Sequence, residues 1–100
     1  MYEIKLSLND KNHGAFRVMD GNEIAGEMVI SITGSILTVY HTEVSIHAEG
    51  KGVAKRLLEA MVDYARRNNL KVNPLCVYVH AQFKRHRADY EDIWYKKKLT

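Results

Sequence analysis

The sequence predicts an α+β fold, in which an antiparallel meander of four strands precedes one long helix and a parallel fifth strand. Apolar and polar residues alternate with period two through four stretches of the first half of the chain. Helical periodicity then runs from residue 50 to 68, and another apolar stretch follows it. A strand, a crossover helix and a second strand normally form a right-handed unit with parallel strands.

Length and composition set the broad class of the protein. A chain of 100 residues has room for one domain, which we expect to span residues 1–100 with a frayed tail at 96–100. It contains no apolar run of the roughly 20 residues that cross a membrane. Its start lacks a signal-peptide core and its single cysteine, Cys76, suits a reducing compartment. We therefore expect a cytoplasmic monomer that makes no membrane contact.

The four predicted strands follow one another through short polar turns. Tyr2, Ile4, Leu6 and Leu8 alternate with polar residues in the first, and Phe16 and Val18 carry the second. The Asp-Gly pair of Asp20-Gly21-Asn22 favours a hairpin. The third strand alternates from Ile24 to Thr33, and the fourth runs from Ile36 to Glu43. Alternation in the fourth strand places Leu37, Val39, His41 and Glu43 on one face, and Ile36, Thr38, Tyr40 and Thr42 on the other.

The helix and the elements after it complete the prediction. A wide apolar stripe that includes Val53, Leu57 and Met61 predicts a helix from about Gly50 to Asn68. The next apolar stretch, Leu70 to Val79, predicts the fifth strand. Its Pro74 lacks an N–H, so we expect that position at a sheet edge or where two strands part. A short helix should follow from Val79 to Arg87, with Ile93 and Trp94 docked on the body.

A glycine-containing turn, Glu49-Gly50-Lys51-Gly52-Val53-Ala54-Lys55, joins the fourth strand to the helix. Glycines let backbone N–H groups approach an anion without a Cβ in the way. A helix start adds N–H donors and the positive end of its dipole. The order of strand, glycine turn and helix start therefore favours a phosphate site, although two close glycines alone also fit a simple turn. The net charge of +3 at pH 7 favours anionic ligands only mildly.

These features together resemble the GNAT N-acetyltransferase family. Its Gln/Arg-x-x-Gly-x-Gly/Ala signature corresponds to Glu49-Gly50-Lys51-Gly52-Val53-Ala54, in which Glu49 departs from the first position. His41-Thr42-Glu43-Val44, the glycine turn and Pro74-Leu75-Cys76 are similar to those of a minimal, cysteine-containing branch of the family. The resemblance implies acetyl-CoA as co-substrate and an amine acceptor. It also implies a cleft where the fourth and fifth strands splay apart.

The same resemblance implies which residues contact coenzyme A. The pyrophosphate would meet Gly50, Lys51, Gly52, Val53, Ala54 and Lys55, and the pantetheine arm would pair near Val44, Ser45 and Ile46. Larger members wall the acceptor site with helices between the first strands. This chain lacks the length for them, which implies an open acceptor side.

Acetyl transfer to an amine requires a neutral amine, a polarised carbonyl and a proton for the departing thiolate. His41 and Glu43 are candidates for the base, while Cys76 is a candidate acid or acetyl carrier and Tyr78 is the competing acid. Each residue also has a structural interpretation. His41 fits a hydrogen-bonded structural role, Glu43 a surface carboxylate, Cys76 a small buried hydrophobe and Tyr78 core packing.

Three classes of function follow. An N-acetyltransferase acting on a protein lysine, an N-terminus or a small amine is the leading one, and a non-catalytic coenzyme A-binding regulatory domain is the alternative. A nucleic-acid-binding module is disfavoured because no aromatic residues interleave the basic clusters 84–87 and 96–98. A metal site is not expected, because no second ligand pair completes the spacing of Cys76 and His80.

Overall fold

The computed structural model describes residues 2–96, which form one five-stranded sheet in the order β1-β2-β3-β4-β5. The strands are β1 (Tyr2–Leu8), β2 (His13–Asp20), β3 (Glu23–Thr33), β4 (Ile36–Val44) and β5 (Lys71–Pro74). The first four strands pair antiparallel and β5 runs parallel to β4, which confirms the predicted meander and crossover. Of the predicted tail, residues 97–100 lie outside the described residues, and the ammonium of Lys96 lies 5.4 Å from the centre of the Trp94 ring.

The crossover helix α1 (Val53–Arg67) is shorter than predicted, because it begins after the glycines instead of within them. Gly50 and Gly52 have φ angles of +78° and +74°, which a right-handed helix does not contain. A 3₁₀ turn, Ile46–Ala48, precedes them. Arg66 and Arg67 occupy the last turn of α1, where positive charge complements the helix dipole.

The fifth strand is also shorter than the predicted Leu70 to Val79. It ends at Pro74, which pairs with Val39 and lies in an outermost strand, as its missing N–H requires. The apolar residues after it belong to helix α2 (Val77–Arg85), and α3 (Arg87–Tyr90) follows. The prediction of a strand through Val79 is therefore wrong, because a short apolar run does not distinguish a strand from a buried helix turn.

The core lies between the sheet and α1, with α2 at the β4–β5 end. Fully buried side chains from three strands meet α1 there, among them Val18, Met28, Ile30, Leu37 and Val39. Gly26 lets α1 approach closely, since a Cβ at this position would lie 2.4 Å from the side chain of Val53. The C-terminal segment closes the edge of β5 through a bridge between Val72 and Trp94, and Ile93 is buried beneath it. The predicted docking of Ile93 and Trp94 is confirmed.

A β-bulge in β4 changes which side chains face the helix. Val29 pairs with His41 and the next residue, Ile30, pairs with Val39, so Tyr40 is an extra residue in β4. The alternation of side chains therefore reverses beyond Tyr40. The predicted common face of Leu37, Val39, His41 and Glu43 is wrong, because nothing in the residue pattern of the strand marks the bulge.

Among residues 2–96, no helix is both long and apolar enough to span a membrane.

Candidate functional site

The loop before α1 is shaped by two residues with left-handed backbone conformations. Gly50 and Gly52 both have positive φ, and a Cβ added to either would meet no atom within 4 Å. The directions in which side chains would point are therefore open space. A ligand can approach the backbone of this loop without displacing protein atoms.

The start of α1 supplies unpaired donors at the same place. Gly52 is the N-cap, no side chain caps the helix, and the first turn contains no acidic residue. The carbonyl of Gly52 accepts a 3.1 Å bond from the N–H of Arg56. The N–H groups of the three residues between them have no partner within the helix, so they and the dipole favour an anion. Lys51 and Lys55 are exposed beside these donors, and so is Glu49, whose charge opposes them.

A cleft of about 330 Å³ joins this loop to the end of β4. Its wall is largely apolar and includes Val44, Ala48 and Val53, with Tyr78 of α2 on the far side. Gly50, Gly52, Ala54 and Lys55 also line the cleft, as does Glu49. The cleft therefore combines backbone donors at the start of α1 with a largely apolar wall, which only Glu49 and Lys55 of its lining residues interrupt with charge.

The residues after Val44 are only partly available to a ligand. The N–H of Ser45 bonds to the carbonyl of Ala25 at 2.8 Å, which extends the β3–β4 pairing by one residue. The hydroxyl of Ser45 accepts a 3.4 Å bond from the N–H of His47. Ile46 is 75% exposed. Of the three residues predicted to contact the pantetheine arm, only Val44 lines the cleft.

The edge of β4 is open beyond Val39. β5 pairs with β4 only from Ile36 to Val39, and the N–H of Cys76 then bonds to the carbonyl of Val39 at 2.9 Å. The chain turns into α2 at that point, whereas β4 continues for five more residues. The predicted splay is therefore present, and the backbone of Tyr40 to Val44 has no strand beside it on that edge.

Cys76 and Thr42 lie together at this opening. The Oγ1 of Thr42 and the Sγ of Cys76 are 3.4 Å apart, and Cys76 is buried with 4% of its surface exposed. Because of the bulge, Thr42 is the β4 residue that faces Cys76 from the helix side of the sheet. Sequence reasoning missed Thr42. Its place between two candidate residues, His41 and Glu43, was the available signal, but alternation without a bulge assigned it to the opposite face.

His41 and Glu43 lie on the other face of the sheet. Glu43 pairs with Glu27 of β3, and the carboxylate of Glu27 accepts a 2.7 Å hydrogen bond from the Nε of Arg17. His41 pairs with Val29, and both His41 and Glu43 are exposed. Among the four candidates for acid–base chemistry, Cys76 and Tyr78 therefore lie at the opening on the helix side. His41 and Glu43 lie on the opposite face of the sheet and do not line the cleft.

Tyr78 is half-buried between the cleft and the body of the protein. It lines the cleft on one side, and on the other a groove of about 330 Å³ with Lys55, Leu58 and Tyr90. Burial, and to a lesser extent the neighbouring Tyr90 and Cys76, raise the pKa of Tyr78 above the ordinary tyrosine value. The phenol therefore stays protonated at neutral pH and can donate a proton.

The described residues contain no group of three or more His, Cys, Asp or Glu side chains arranged to hold a metal ion.

Comparison with known proteins identifies the family. Residues 15–93 match the family model of the GCN5-related N-acetyl-transferases. That range includes β4, the glycine loop, α1 and Cys76. None of the curated proteins compared with the chain matches it.

Solved structures show the same fold. A GCN5-like candidate N-acetyltransferase from Staphylococcus aureus is 26% identical and superposes with a TM-score of 0.67, covering 94% of this chain and 90% of that one. An IAA acetyltransferase from Bacillus cereus is 15% identical, with a TM-score of 0.65 over 85% of this chain and 75% of that one. A ribosomal-protein-alanine N-acetyltransferase from Brucella melitensis is 20% identical, with a TM-score of 0.61 over 92% and 67%. The last two likenesses concern the fold alone.

Proposed function

This chain belongs to the GCN5-related N-acetyltransferase family of acyltransferases, and on that premise we propose that it transfers the acetyl group of acetyl-CoA to a primary amine. The observation that carries the proposal is the cleft of about 330 Å³ between the glycine loop and β4. A phosphate-bearing ligand with a long uncharged arm matches its distribution of donors and apolar walls. When bound, acetyl-CoA supplies the activated thioester carbonyl.

The glycine loop is the pyrophosphate site in this proposal. The N–H groups of Val53, Ala54 and Lys55 at the uncapped start of α1 are the proposed donors to the pyrophosphate, and the exposed Lys51 and Lys55 add positive charge. The pantetheine arm runs along Val44, Ser45 and Ile46. Because the N–H of Ser45 is bonded to Ala25, the arm must use the remaining backbone groups of this segment.

The acceptor amine approaches around the open edge of β4. A lysine-like amine has a pKa of about 10.4, so a base is needed to generate the neutral form. Glu43 and His41 are exposed on the outer face beside this edge and are the proposed bases. The unpaired N–H groups of β4 beyond Val39 are the proposed donors to the oxyanion.

Tyr78 is the proposed acid that protonates the departing thiolate. It lines the cleft, and its raised pKa keeps the phenol protonated at neutral pH. Direct attack by the amine then requires one base on the outer face and one acid on the helix face. The N–C bond forms as the C–S bond of the thioester breaks, and the thiolate receives the proton of Tyr78.

Cys76 offers a second route. Its thiolate would attack the thioester, the acetyl group would move to Sγ and the released thiolate would take a proton, after which the amine would attack acetyl-Cys76. We favour direct attack, because Cys76 is buried and does not line the cleft. In the direct route Cys76 and Thr42 hold β4 and the start of α2 in position through their 3.4 Å contact.

One observation supports the alternative of a non-catalytic coenzyme A-binding domain. The carboxylate of Glu49 stands beside the phosphate site and lines the cleft, so it weakens the binding of an anion. Turnover of acetyl-CoA against a panel of amines separates the two functions. The panel should include a lysine peptide, a peptide with a free N-terminus and small polyamines. A melting shift with coenzyme A and no acetylated product from any amine would favour the regulatory domain.

Ligand binding itself has a thermodynamic signature. Coenzyme A at about 100 times its dissociation constant should add about 2.7 kcal/mol to the free energy of unfolding. No change in melting temperature at saturating acetyl-CoA would contradict both functions. The expected location for either is the cytoplasm, which suits a free thiol such as Cys76.

A further inference from the structure

The two edges of the sheet are finished differently. β5 has four residues, ends in Pro74, and is covered where the N–H of Val72 bonds to Ile93 and Tyr95 bonds to Val72. β1 is the other outermost strand, has seven residues and pairs only with β2 within the sheet. It therefore presents a row of N–H and C=O groups that another strand can bond.

The side chains of β1 toward α1 are incompletely covered. Tyr2 and Leu6 are half-buried and Ile4 is 38% exposed, although Val18 and Phe16, which pair with Ile4 and Leu6 in β2, are buried. The guanidinium of Arg56 in α1 lies over the Tyr2 end of this row, 5.6 Å from the centre of the ring. An apolar row thus continues to the edge of the sheet and ends there.

The other face of β1 carries two charges, Glu3 and Lys5, that form no ion pair with the described residues of the chain. The β1–β2 register sets Glu3 opposite Met19 and Lys5 opposite Arg17, a like-charged neighbour that is already bonded to Glu27. Within residues 2–96, neither Glu3 nor Lys5 belongs to a salt bridge. The two charges are opposite in sign and two residues apart, so an antiparallel copy of the strand can pair them.

Only one register satisfies both faces. A two-fold axis that passes through Glu3 or Lys5 sets that residue opposite its own copy in the partner, so two like charges meet. A register that differs by one residue sets the apolar row of one strand opposite the charged row of the other. With the two-fold axis at Ile4, that residue meets the partner's Ile4, Tyr2 meets the partner's Leu6 and Glu3 meets the partner's Lys5. We propose that this protein forms a two-fold dimer by antiparallel β1–β1 pairing centred on Ile4.

Of the remaining even registers, the one with its axis at Leu6 pairs the most residues of β1. It sets Lys5 opposite the partner's Ser7 and leaves Glu3 outside the strand pairing, so no charge is matched. In the register centred on Ile4, Glu3 of each copy lies opposite Lys5 of the other, so the two-fold symmetry produces two such pairs. The two sheets then form one ten-stranded sheet with both α1 helices on the same side. A monomer is expected from the sequence. The proposed dimer differs from it because the strand order of the fold leaves β1 at an open edge of the sheet.

Charge exchange tests the register. Sedimentation equilibrium over a wide range of protein concentration should show a monomer–dimer equilibrium for the full chain. Glu3→Lys and Lys5→Glu should each raise the dissociation constant of the dimer by about tenfold, since each turns two attractive pairs into two repulsive ones. The double variant should return the constant to within about threefold of the original. Lys11→Glu, the same charge change in the turn after β1, should leave it unchanged.

Loss of the dimer in Lys5→Glu is not explained by unfolding of the monomer. The new carboxylate lies opposite Arg17 in β2, where it replaces a like-charged pair with an opposite-charged one. A second test uses Ile4→Cys, which should form a disulfide-linked dimer under mild oxidation, while Leu8→Cys lies outside the pairing and should not. A protein that is monomeric at every concentration would overturn the proposal. So would single charge variants that dimerise like the original or a double variant that is not restored. The β1–β1 pairing does not depend on acetyl transfer, so the dimer can be tested whether or not the protein acetylates an amine.

Discussion

The glycine loop before α1 and the opening beside β4 are two neighbouring parts of the candidate site, and they are built from different parts of the chain. The loop offers backbone N–H groups, and its shape depends on two positive φ angles at Gly50 and Gly52. The opening offers side chains, and their directions depend on the bulge at Tyr40 and on the early end of β5 at Pro74. Binding and chemistry are therefore separable: changes in the loop should affect the affinity for coenzyme A, and changes at the opening should affect turnover.

The largest expected effect is on the loop. Gly52→Asp should weaken coenzyme A binding by about a thousandfold, because a charge about 4 Å from a phosphate costs about 4 kcal/mol at an effective dielectric constant of 20. Gly34→Asp is the matched control, since Gly34 also has positive φ (+59°) and open space around it but lies in the β3–β4 turn. Calorimetry should find normal affinity for the control. Tight binding by Gly52→Asp with unchanged circular dichroism would contradict the assignment of the loop.

The next effect is on turnover at the opening. Tyr78→Phe should lower kcat by about a hundredfold, the lower end of a general acid contribution, and leave the affinity for coenzyme A nearly unchanged. The raised pKa of Tyr78 means that the phenol is still protonated at the ordinary tyrosine pKa of about 10. We therefore expect no loss of kcat from this group below about pH 10. An unchanged kcat in Tyr78→Phe would mean that another group protonates the departing thiolate.

Cys76→Ala sharpens the distinction between the two routes. Direct attack predicts a kcat within about threefold of the original and a loss of stability of about 1–2 kcal/mol, because a small buried side chain is removed. Mass spectrometry of the protein incubated with acetyl-CoA without acceptor should then show no acetyl group on Cys76. A stable adduct together with a collapse of kcat in Cys76→Ala would support the covalent route, and Thr42→Val should then change the pH dependence of adduct formation.

The smallest effect lies far from both regions. Arg66 donates to both carboxylate oxygens of Asp92 at 3.0 and 3.1 Å, and this bond lowers the pKa of Asp92. A lowered pKa contributes stability above the unfolded-state value of about 3.9, and that stability is lost as the pH falls. Because the pair is exposed, Asp92→Asn should cost less than about 1 kcal/mol at pH 7 by thermal unfolding. Coenzyme A affinity should stay constant, and a change would mean that the cleft is coupled to the C-terminal segment.

The parts of this fold that depend on local chemistry could be predicted from the sequence. Period-two alternation located the first four strands, and the glycines before an amphipathic run located the loop and α1. Pro74 correctly marked the place where β5 leaves β4. Each of these signals acts through the backbone of a few adjacent residues.

The side chains at the opening could not be predicted in the same way. A bulge is a property of two paired strands, so the sequence around Tyr40 does not reveal that Thr42 faces Cys76 while His41 and Glu43 face outward. The sequence predicts the end of β5 too late, because the residue pattern of Val77 to Val79 fits a strand and a helix equally well. Their helical state follows from the turn after Pro74, which starts α2.

Backbone amide shifts during a titration with coenzyme A test the central claim most directly. If the glycine loop holds the pyrophosphate, the largest changes in an ¹⁵N–¹H spectrum should fall on Gly50 to Lys55, with smaller ones on Val44 and Ile46. Strand β1 and the segment around Asp92 should not move, and Gly52→Asp should abolish the whole pattern. A spectrum without changes at saturating ligand, or one whose changes cluster away from the start of α1, would contradict the account.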